Sequence, residues 1–96
     1  MILEVVVFNM KPGSATEFAT VFPSAEKVIA SAKGYVSHTL QSSLDTPDRY
    51  ILMVKWQTLD NHMVDFRGSD KFVEWRAIIS PFFAEAPVME HYALPQ

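Results

Sequence analysis

Two polar side chains, His62 and Arg76, each interrupt an apolar stripe in the second half of the chain. The stripes follow the i, i+3, i+4, i+7 spacing of one helix face and consist of Leu59, His62, Met63 and Phe66, and of Phe72, Trp75, Arg76 and Ile79. A buried guanidinium without a partner is costly, so we expect Arg76 either to pair with a carboxylate or to face a cavity that holds water or an anionic ligand. An imidazole beside the same cavity can accept a proton at neutral pH.

Trp56 ends a strand-like run directly before this helical region. We therefore expect its indole to form a wall of the same space and to donate one N–H. Each candidate also has an ordinary structural interpretation: Arg often lies along the edge of a helix face, a lone His among apolar residues is more often a hydrogen-bonded core residue, and a Trp is most often a packing residue. The shared orientation of His62 and Arg76 favours a common site.

No other pattern in the sequence predicts catalysis. His38 and His91 lie on different predicted strands, no two histidines share a helical spacing, and there is no cysteine, so we predict no metal site. The sequence has no G-x-S-x-G, P-loop or G-x-G-x-x-G motif, which leaves hydrolase, nucleotide and dinucleotide functions without support. We therefore assign neither a metal nor a cofactor.

The first half of the chain predicts a strand followed by a helix. Residues Ile2–Asn9 form an apolar run rich in β-branched side chains, interrupted by Glu4 alone, which is typical of a central strand. Residues 14–17 (Ser-Ala-Thr-Glu) fit a capping box at the start of a helix that Gly34 is placed to end. Pro23 lies inside this span, so we expect a kink or a short break beside it.

The second half predicts a hairpin, a two-part helical region and a closing strand. Residues 35–42 and 49–56 read as two strands joined by turn-forming residues. The following helical region should break and restart at residues 68–70 and stop at Pro81. Residues 88–93 have the length of a last strand. The element order is therefore β-α-β-β-α-β.

This order predicts an α+β fold of the ferredoxin-like kind, with an antiparallel sheet and helices on one face only. The strands carry apolar side chains at both parities, as in Tyr50, Leu52, Val54 and Trp56 against Ile51 and Met53. We therefore expect the helix-free face to be buried against the same face of a second copy, giving a homodimer. Residues 1–96 are expected to form a single domain.

The composition and charge of the chain limit the classes of partner that we expect. The 96 residues are 49% hydrophobic and 12% aromatic, more apolar material than so short a chain buries easily by itself. The net charge is −3, and no Lys/Arg cluster is present, so nucleic acid is not an expected partner. Without a signal-peptide pattern, a membrane-length apolar run or cysteines, we expect a cytoplasmic protein that does not enter a membrane.

Short motifs spread over nearly the whole chain form a recognisable set: Gly34-Tyr35-Val36-Ser37-His38, Arg49-Tyr50-Ile51-Leu52, Phe66-Arg67-Gly68-Ser69, Pro81-Phe82-Phe83 and Glu90-His91-Tyr92. Together with Trp56, Phe72, Trp75 and Arg76, this set resembles the antibiotic biosynthesis monooxygenase domain. The resemblance implies a ferredoxin-like protomer whose sheet joins that of its twin in a dimeric α/β barrel, with a pocket between sheet and helices. The family includes quinol and anthrone oxygenases and heme-degrading enzymes.

The resemblance also implies roles for particular residues. In the polyketide-oxidising branch, a Trp at the end of the third strand, a polar aromatic on the next helix and an Arg one helical segment later line the pocket. Trp56 and Arg76 match the first and last by order and spacing, and His62 replaces a Tyr. The Asn that this branch places four residues before its Trp falls on Leu52, which leaves the proton acceptor open.

The heme-degrading branch is a poorer match. It relies on an Asn in the first strand, a Trp in the second helical region and an iron-binding His, and these positions fall near Val5, Phe66 and Arg76. None of these three positions carries the residue type that the heme-degrading branch requires, so heme degradation is the less favoured function.

Two hypotheses from different classes follow. The first is a cofactor-independent monooxygenase that acts on a small phenolic or quinol-type aromatic with dioxygen, with His62 as base or hydrogen-bonding partner, Arg76 as oxyanion stabiliser, and Trp56 as wall and N–H donor. The second is a non-catalytic, stress-related dimer that holds a hydrophobic small molecule. A closed, wholly apolar pocket, or Arg76 paired with Glu74 or another carboxylate, would favour the second.

Overall fold

Four antiparallel strands form one sheet in the order β2-β3-β1-β4, and the helical segments lie on one face of it. The computed structural model describes residues 1–95. Its elements are β1 (Ile2–Asn9), α1 (Ala15–Ala30), β2 (Tyr35–Ser42), β3 (Arg49–Trp56), a π-helical segment (Asn61–Phe66, here the π segment), α2 (Asp70–Ile79), a short 3-10 helix (Ser80–Phe82) and β4 (Val88–Ala93). The predicted α+β, ferredoxin-like class and element order are confirmed.

The central strand β1 fixes which side chains face the helices. Its residues Glu4, Val6 and Phe8 are buried, whereas the alternate residues are only half-buried. In the register of the sheet, Val6 lies opposite Leu52 of β3, and Glu4 lies opposite His91 of β4. Because strand side chains alternate between faces, these residues share the helix-bearing side with the rest of the buried core.

Helix α1 forms without the expected capping box and without a break. The Ser14 hydroxyl donates to the Lys11 carbonyl, a turn contact, instead of capping the helix. The helix Ala15–Ala30 continues through Pro23, so the predicted alternative of a short break is wrong, whereas the alternative of a kink stays a prediction. The buried side chains of Phe22 and Ala25 on either side of Pro23 hold both halves of the helix to the sheet, which offsets the lost backbone hydrogen bond.

The second helical region departs from the predicted stripe because its first part is π-helical. A π-helix closes its hydrogen bonds at i→i+5 and so has a wider turn than an α-helix. His62 and Phe66 are buried, but Leu59 and Met63 are 45% and 40% exposed. The expectation that all four residues face the sheet is therefore wrong for two of them. Helix α2 starts after Ser69 and ends before Pro81, as predicted.

Gly34 allows the π segment to approach the turn between α1 and β2. Its φ is +80°, a left-handed conformation that favours glycine, and the space a Cβ would occupy is filled by the Asn61 side chain. Asn61 in turn donates to Asp65 at 3.0 Å. The close approach of Asn61 to Gly34 holds the first turn of the π segment against the turn between α1 and β2.

The helix-free face of the sheet is apolar at its centre. It presents half-buried side chains from β1 and β3, namely Leu3, Val5, Val7, Ile51 and Met53. Val5 and Met53 lie directly opposite each other in the β1–β3 ladder. No helix within residues 1–95 has the length and apolar character that crossing a membrane would require.

Candidate active site

A cavity of about 260 Å³ lies between the helix-bearing face of the sheet, the π segment and α2. Cavities of roughly 150 Å³ are large enough to hold benzene, so this one has room for a substituted aromatic ring. Most of its wall is apolar, with contributions from Leu52, Phe66 and Trp75. Its polar side chains are Glu4, His62, Arg67 and Arg76.

Glu4 is a buried carboxyl group on the sheet side of the cavity. Only 6% of the residue is exposed, and its Oε1 accepts a 2.9 Å hydrogen bond from the Trp56 indole N–H. Burial raises the pKa of Glu4 to about 7, because the charged form loses hydration, while the Trp56 N–H and the positive charge of Arg67 act in the opposite direction. Near neutral pH the group is therefore divided between carboxylate and carboxylic acid.

His62 connects Glu4 to the edge of the sheet. Its ring stacks on Trp56 with a centroid separation of 5.2 Å, its Nε2 is 3.4 Å from Glu4 Oε1, and its Nδ1 is 2.8 Å from Nε2 of His91. Burial first, then the positive charges of His91 and Arg67, lower the pKa of His62 to about 4. Because burial also raises the pKa of Glu4, the contact joins a carboxyl group to a neutral imidazole and is not an ion pair.

Arg67 and Arg76 lie at the mouth of the cavity. Both side chains are exposed, and their guanidinium carbons are 5.1 and 6.0 Å from the centroid of the Phe72 ring, within reach of a cation–π contact. Within residues 1–95, no carboxylate is at ion-pair distance from either guanidinium. Arg76 thus differs from the expected buried guanidinium, because the cavity opens to solvent where α2 passes it.

The structure brings two of the three predicted site residues to the cavity wall. His62 and Arg76 both line it, although they lie in different helical segments. Trp56 is fully buried and lies one layer behind, covered by Glu4 and His62. The expectation that the Trp56 indole forms a wall of the cavity is therefore wrong, and its N–H donates a hydrogen bond to Glu4.

Three contributors were missed as site residues. Glu4 carried a visible signal, since it is the only charged residue within Ile2–Asn9. Arg67 belongs to neither apolar stripe. Spacing along the chain predicts no role for His91, because its contact with His62 depends on the pairing of β4 with β1. Among residues 1–95, no group of three or more His, Asp or Glu side chains is arranged to share a metal ion.

A second polar cluster lies outside the cavity, between α1 and β2. His38 Nε2 is 2.5 Å from Glu26 Oε2, and His38 Nδ1 is hydrogen-bonded to the Tyr35 hydroxyl. None of these residues lines the cavity. Because Glu26 and His38 pair a carboxylate with an imidazole on the same side of the sheet, they offer matched controls for the cavity residues.

Comparisons with known proteins agree with this architecture. Residues 1–78 match the family model of the antibiotic biosynthesis monooxygenases. The chain is 35% identical to the uncharacterized protein YczJ of Bacillus subtilis (strain 168), over 96% of this chain and 97% of that protein. A crystal structure of a Bordetella bronchiseptica protein assigned as an antibiotic biosynthesis monooxygenase is 37% identical and superposes with a TM-score of 0.93, covering 99% of this chain and 97% of the other.

The fold is also shared with a more distant oxygenase. SnoaB, a cofactor-independent oxygenase from Streptomyces nogalater, superposes with a TM-score of 0.82 over 99% of this chain and 93% of its own. Its sequence identity to this chain is 20%, so the likeness extends to the fold alone.

Proposed function

Because the chain belongs to the antibiotic biosynthesis monooxygenase family, we propose that it is a cofactor-independent monooxygenase acting on a small phenolic or quinol-type aromatic. The observation that carries the proposal is the cavity, in which an apolar wall surrounds a carboxyl group and a neutral imidazole while two unpaired guanidinium groups stand at the mouth. Such a site can remove a proton from a phenol and stabilise the anion that results.

The chemistry needs no external reductant. Loss of the phenolic proton leaves an electron-rich anion, which transfers an electron to dioxygen, and the two radicals combine at a ring carbon. Loss of water from the resulting peroxide gives a quinone, so one oxygen atom enters the product, the other leaves as water, and all four electrons come from the substrate. The apolar wall limits the contact of the anion and of the peroxide with water to the open mouth of the cavity.

The proposed roles follow from position. Arg76 stabilises the developing oxyanion from the mouth, with Arg67 beside it. His62 serves as base or hydrogen-bonding partner, since its pKa of about 4 keeps the ring neutral at physiological pH. Trp56, which is buried behind Glu4 and His62, holds Glu4 in place through the hydrogen bond from its indole N–H. Leu52 stands where the related branch carries an Asn, and it contributes only apolar surface.

The functional unit is proposed to be a homodimer, joined through the helix-free face of the sheet in a dimeric α/β barrel. The apolar centre of that face, with Val5 opposite Met53, supports this arrangement, because a solvated sheet face normally carries polar residues. A cytoplasmic location and the treatment of residues 1–96 as one domain belong to the same proposal.

The two alternatives receive less support. A wholly apolar pocket or a paired Arg76 would favour a binding protein without turnover, and the cavity has neither feature in residues 1–95. Heme degradation would need an iron ligand where Arg76 stands, and a guanidinium has no lone pair to offer.

Oxygen consumption tests the proposal. Protein purified in the presence of a chelator should accelerate dioxygen uptake with at least one member of a panel of anthrones, naphthols and hydroquinones, above the rate of spontaneous oxidation. Heat-denatured protein is the control. Saturable binding of panel members without any faster oxygen uptake would favour the binding protein instead.

A further inference from the structure

We infer that Glu4 is the group that takes the proton from the bound phenol, and that His62 and His91 form the path by which this proton leaves the cavity. The inference rests on the proposed function, since it names the proton acceptor of the same site. It replaces His62 as the primary base and gives it the role of a carrier.

Glu4 is the only carboxylate among the residues that line the cavity. Its Oε1 accepts the Trp56 N–H, and within residues 1–95 this is the one side-chain hydrogen bond that Glu4 makes. The side chain projects from β1, which is paired on both sides, by β3 and by β4. A carboxylate fixed on a central strand with one oxygen unused is positioned to receive a proton from a ligand in the cavity.

The surroundings of Glu4 make it a stronger base than a carboxylate in water. The polar and charged groups near it are Trp56 on β3, His62 in the π segment, Arg67 after it, and His91 on β4. Burial outweighs the N–H of Trp56 and the charge of Arg67, so the pKa is raised to about 7 from 4.5. Since a phenol such as Tyr titrates near about 10, this rise narrows the gap between acceptor and donor.

His62 is suited to pass a proton on and not to keep it. Its two ring nitrogens face different partners, with Nε2 at 3.4 Å from Glu4 and Nδ1 at 2.8 Å from His91. Burial and the neighbouring positive charges disfavour the imidazolium form. His91 is only half-buried, on β4, and its pKa is also lowered, so it releases a proton to water readily.

The steps balance without any electron transfer. The substrate O–H bond breaks and an O–H bond forms on Glu4. The Glu4 carboxyl group then turns its protonated oxygen toward Nε2 of His62 and gives up this proton, while Nδ1 of His62 gives its own proton to Nε2 of His91. His91 loses its second ring proton to water. The sum is one proton moved from the substrate to solvent, with the phenolate left in the cavity.

A phenol that is not oxidised separates this inference from turnover. 4-Nitrophenol absorbs visible light only as its anion, so its ionisation in the cavity can be followed directly. The wild-type protein should bind it as the anion at a pH where the free compound is mostly neutral. Glu4→Gln keeps the oxygen that accepts from Trp56 but cannot take a proton, and it should abolish the added anion absorbance. Glu26→Gln, the matched control outside the cavity, should leave it unchanged.

Two further variants test the direction of the effect and the path. Trp56→Phe removes the N–H that lowers the pKa of Glu4, so the anionic fraction of bound 4-nitrophenol should rise. His91→Asn should leave the equilibrium fraction near the wild-type level but slow the release of the proton to a pH-indicator dye in stopped-flow mixing at least severalfold, whereas His38→Asn should not. Circular dichroism checks that each variant is folded.

Several outcomes would overturn the inference. Wild-type protein that binds 4-nitrophenol in neutral form, or not at all, would do so, as would an undiminished anion signal in Glu4→Gln. If His91→Asn releases the proton at the wild-type rate, His91 does not lie on the path by which the proton leaves the cavity. If Glu4-dependent anion formation is present but no panel substrate speeds oxygen uptake, the proposed function fails and the assignment of Glu4 as proton acceptor stands.

Discussion

Glu4 and Trp56 lie on adjacent strands, and the Trp56 indole donates a 2.9 Å hydrogen bond to Glu4 Oε1 in the interior between the sheet and the π segment. One hydrogen bond does not compensate for the lost hydration of a buried carboxylate, so the pKa of Glu4 rises to about 7. The fold therefore keeps an ionisable group in a position where its charged form is unfavourable. Such positions are common at functional sites.

The first prediction concerns stability against pH. The pKa of Glu4 is raised from 4.5 to about 7 on folding, so the native state binds a proton more readily than the unfolded chain. The contribution of Glu4 to the free energy of unfolding is therefore greatest below pH 4.5 and is lost as the pH rises through 7. Glu4→Gln removes this loss. The free energy of unfolding of the variant, measured with urea and taken relative to wild type, should therefore rise by on the order of 3 kcal/mol between about pH 5 and about pH 8.

His62 acts in the opposite direction and would obscure the effect in wild-type protein alone. Its pKa falls from 6.5 to about 4 on folding, so the unfolded chain binds the extra proton and stability declines as the pH drops through this range. The comparison must therefore be made between variants at each pH, with Glu26→Gln as the control. A constant difference between Glu4→Gln and wild type would contradict the raised pKa.

The second prediction concerns the oxyanion. Arg76→Ala should lower the turnover of a responsive phenol or hydroquinone roughly a hundredfold, the usual effect of removing one preorganised charge stabiliser. Lys27→Ala removes an exposed cation of α1 that does not line the cavity, and it should have no such effect. Steady-state oxygen consumption measures both variants. Full activity in Arg76→Ala would reduce Arg76 to an ordinary surface residue.

The third prediction concerns the dimer. Met53→Asp places a charge at the apolar centre of the helix-free face and should convert the proposed homodimer to monomer in sedimentation at micromolar concentration. Val73→Asp, at a residue that is 67% exposed on α2, should leave the dimer intact. A wild-type protein that sediments as a monomer would refute the barrel arrangement directly.

The fourth prediction separates backbone strain from side-chain crowding at two glycines. Gly13 and Gly34 have φ values of +78° and +80°, but only Gly34 has the Asn61 side chain where a Cβ would lie. Gly13→Ala should cost about 1 kcal/mol from the left-handed backbone. Gly34→Ala should cost roughly 1–3 kcal/mol more, because Asn61 must move and its hydrogen bond to Asp65 is lost. Equal losses in chemical denaturation would show that Asn61 does not resist displacement.

The sequence predicts the fold better than the site, for physical reasons that particular residues illustrate. Apolar periodicity is a local property, so the element order and the break before Ser69 could be read directly. The π segment could not, and its wider turn changes the angular spacing that relates the buried His62 and Phe66 to the exposed Leu59 and Met63. Contacts across the sheet depend on register, which is why the pairing of His62 with His91 was not foreseen.

Glu4 shows that the residue type alone does not predict which partner a buried charge has. A single charge in an apolar strand predicts either an exposed edge or a buried group with a partner, and only the register of β1 with β3 shows that the partner is Trp56. The charge of Arg67 in the same space is likewise a consequence of where the π segment ends. In both cases the decisive information lies in contacts between elements.

The most direct test of the central claim is the fate of dioxygen during turnover by protein purified with a chelator. With isotopically labelled dioxygen and a substrate from the panel, the account predicts one labelled oxygen atom in each product molecule and the other in water, without added reductant, and loss of this incorporation in Glu4→Gln but not in Glu26→Gln. Product without label, release of hydrogen peroxide in place of labelled water, or equal incorporation by both variants would contradict it.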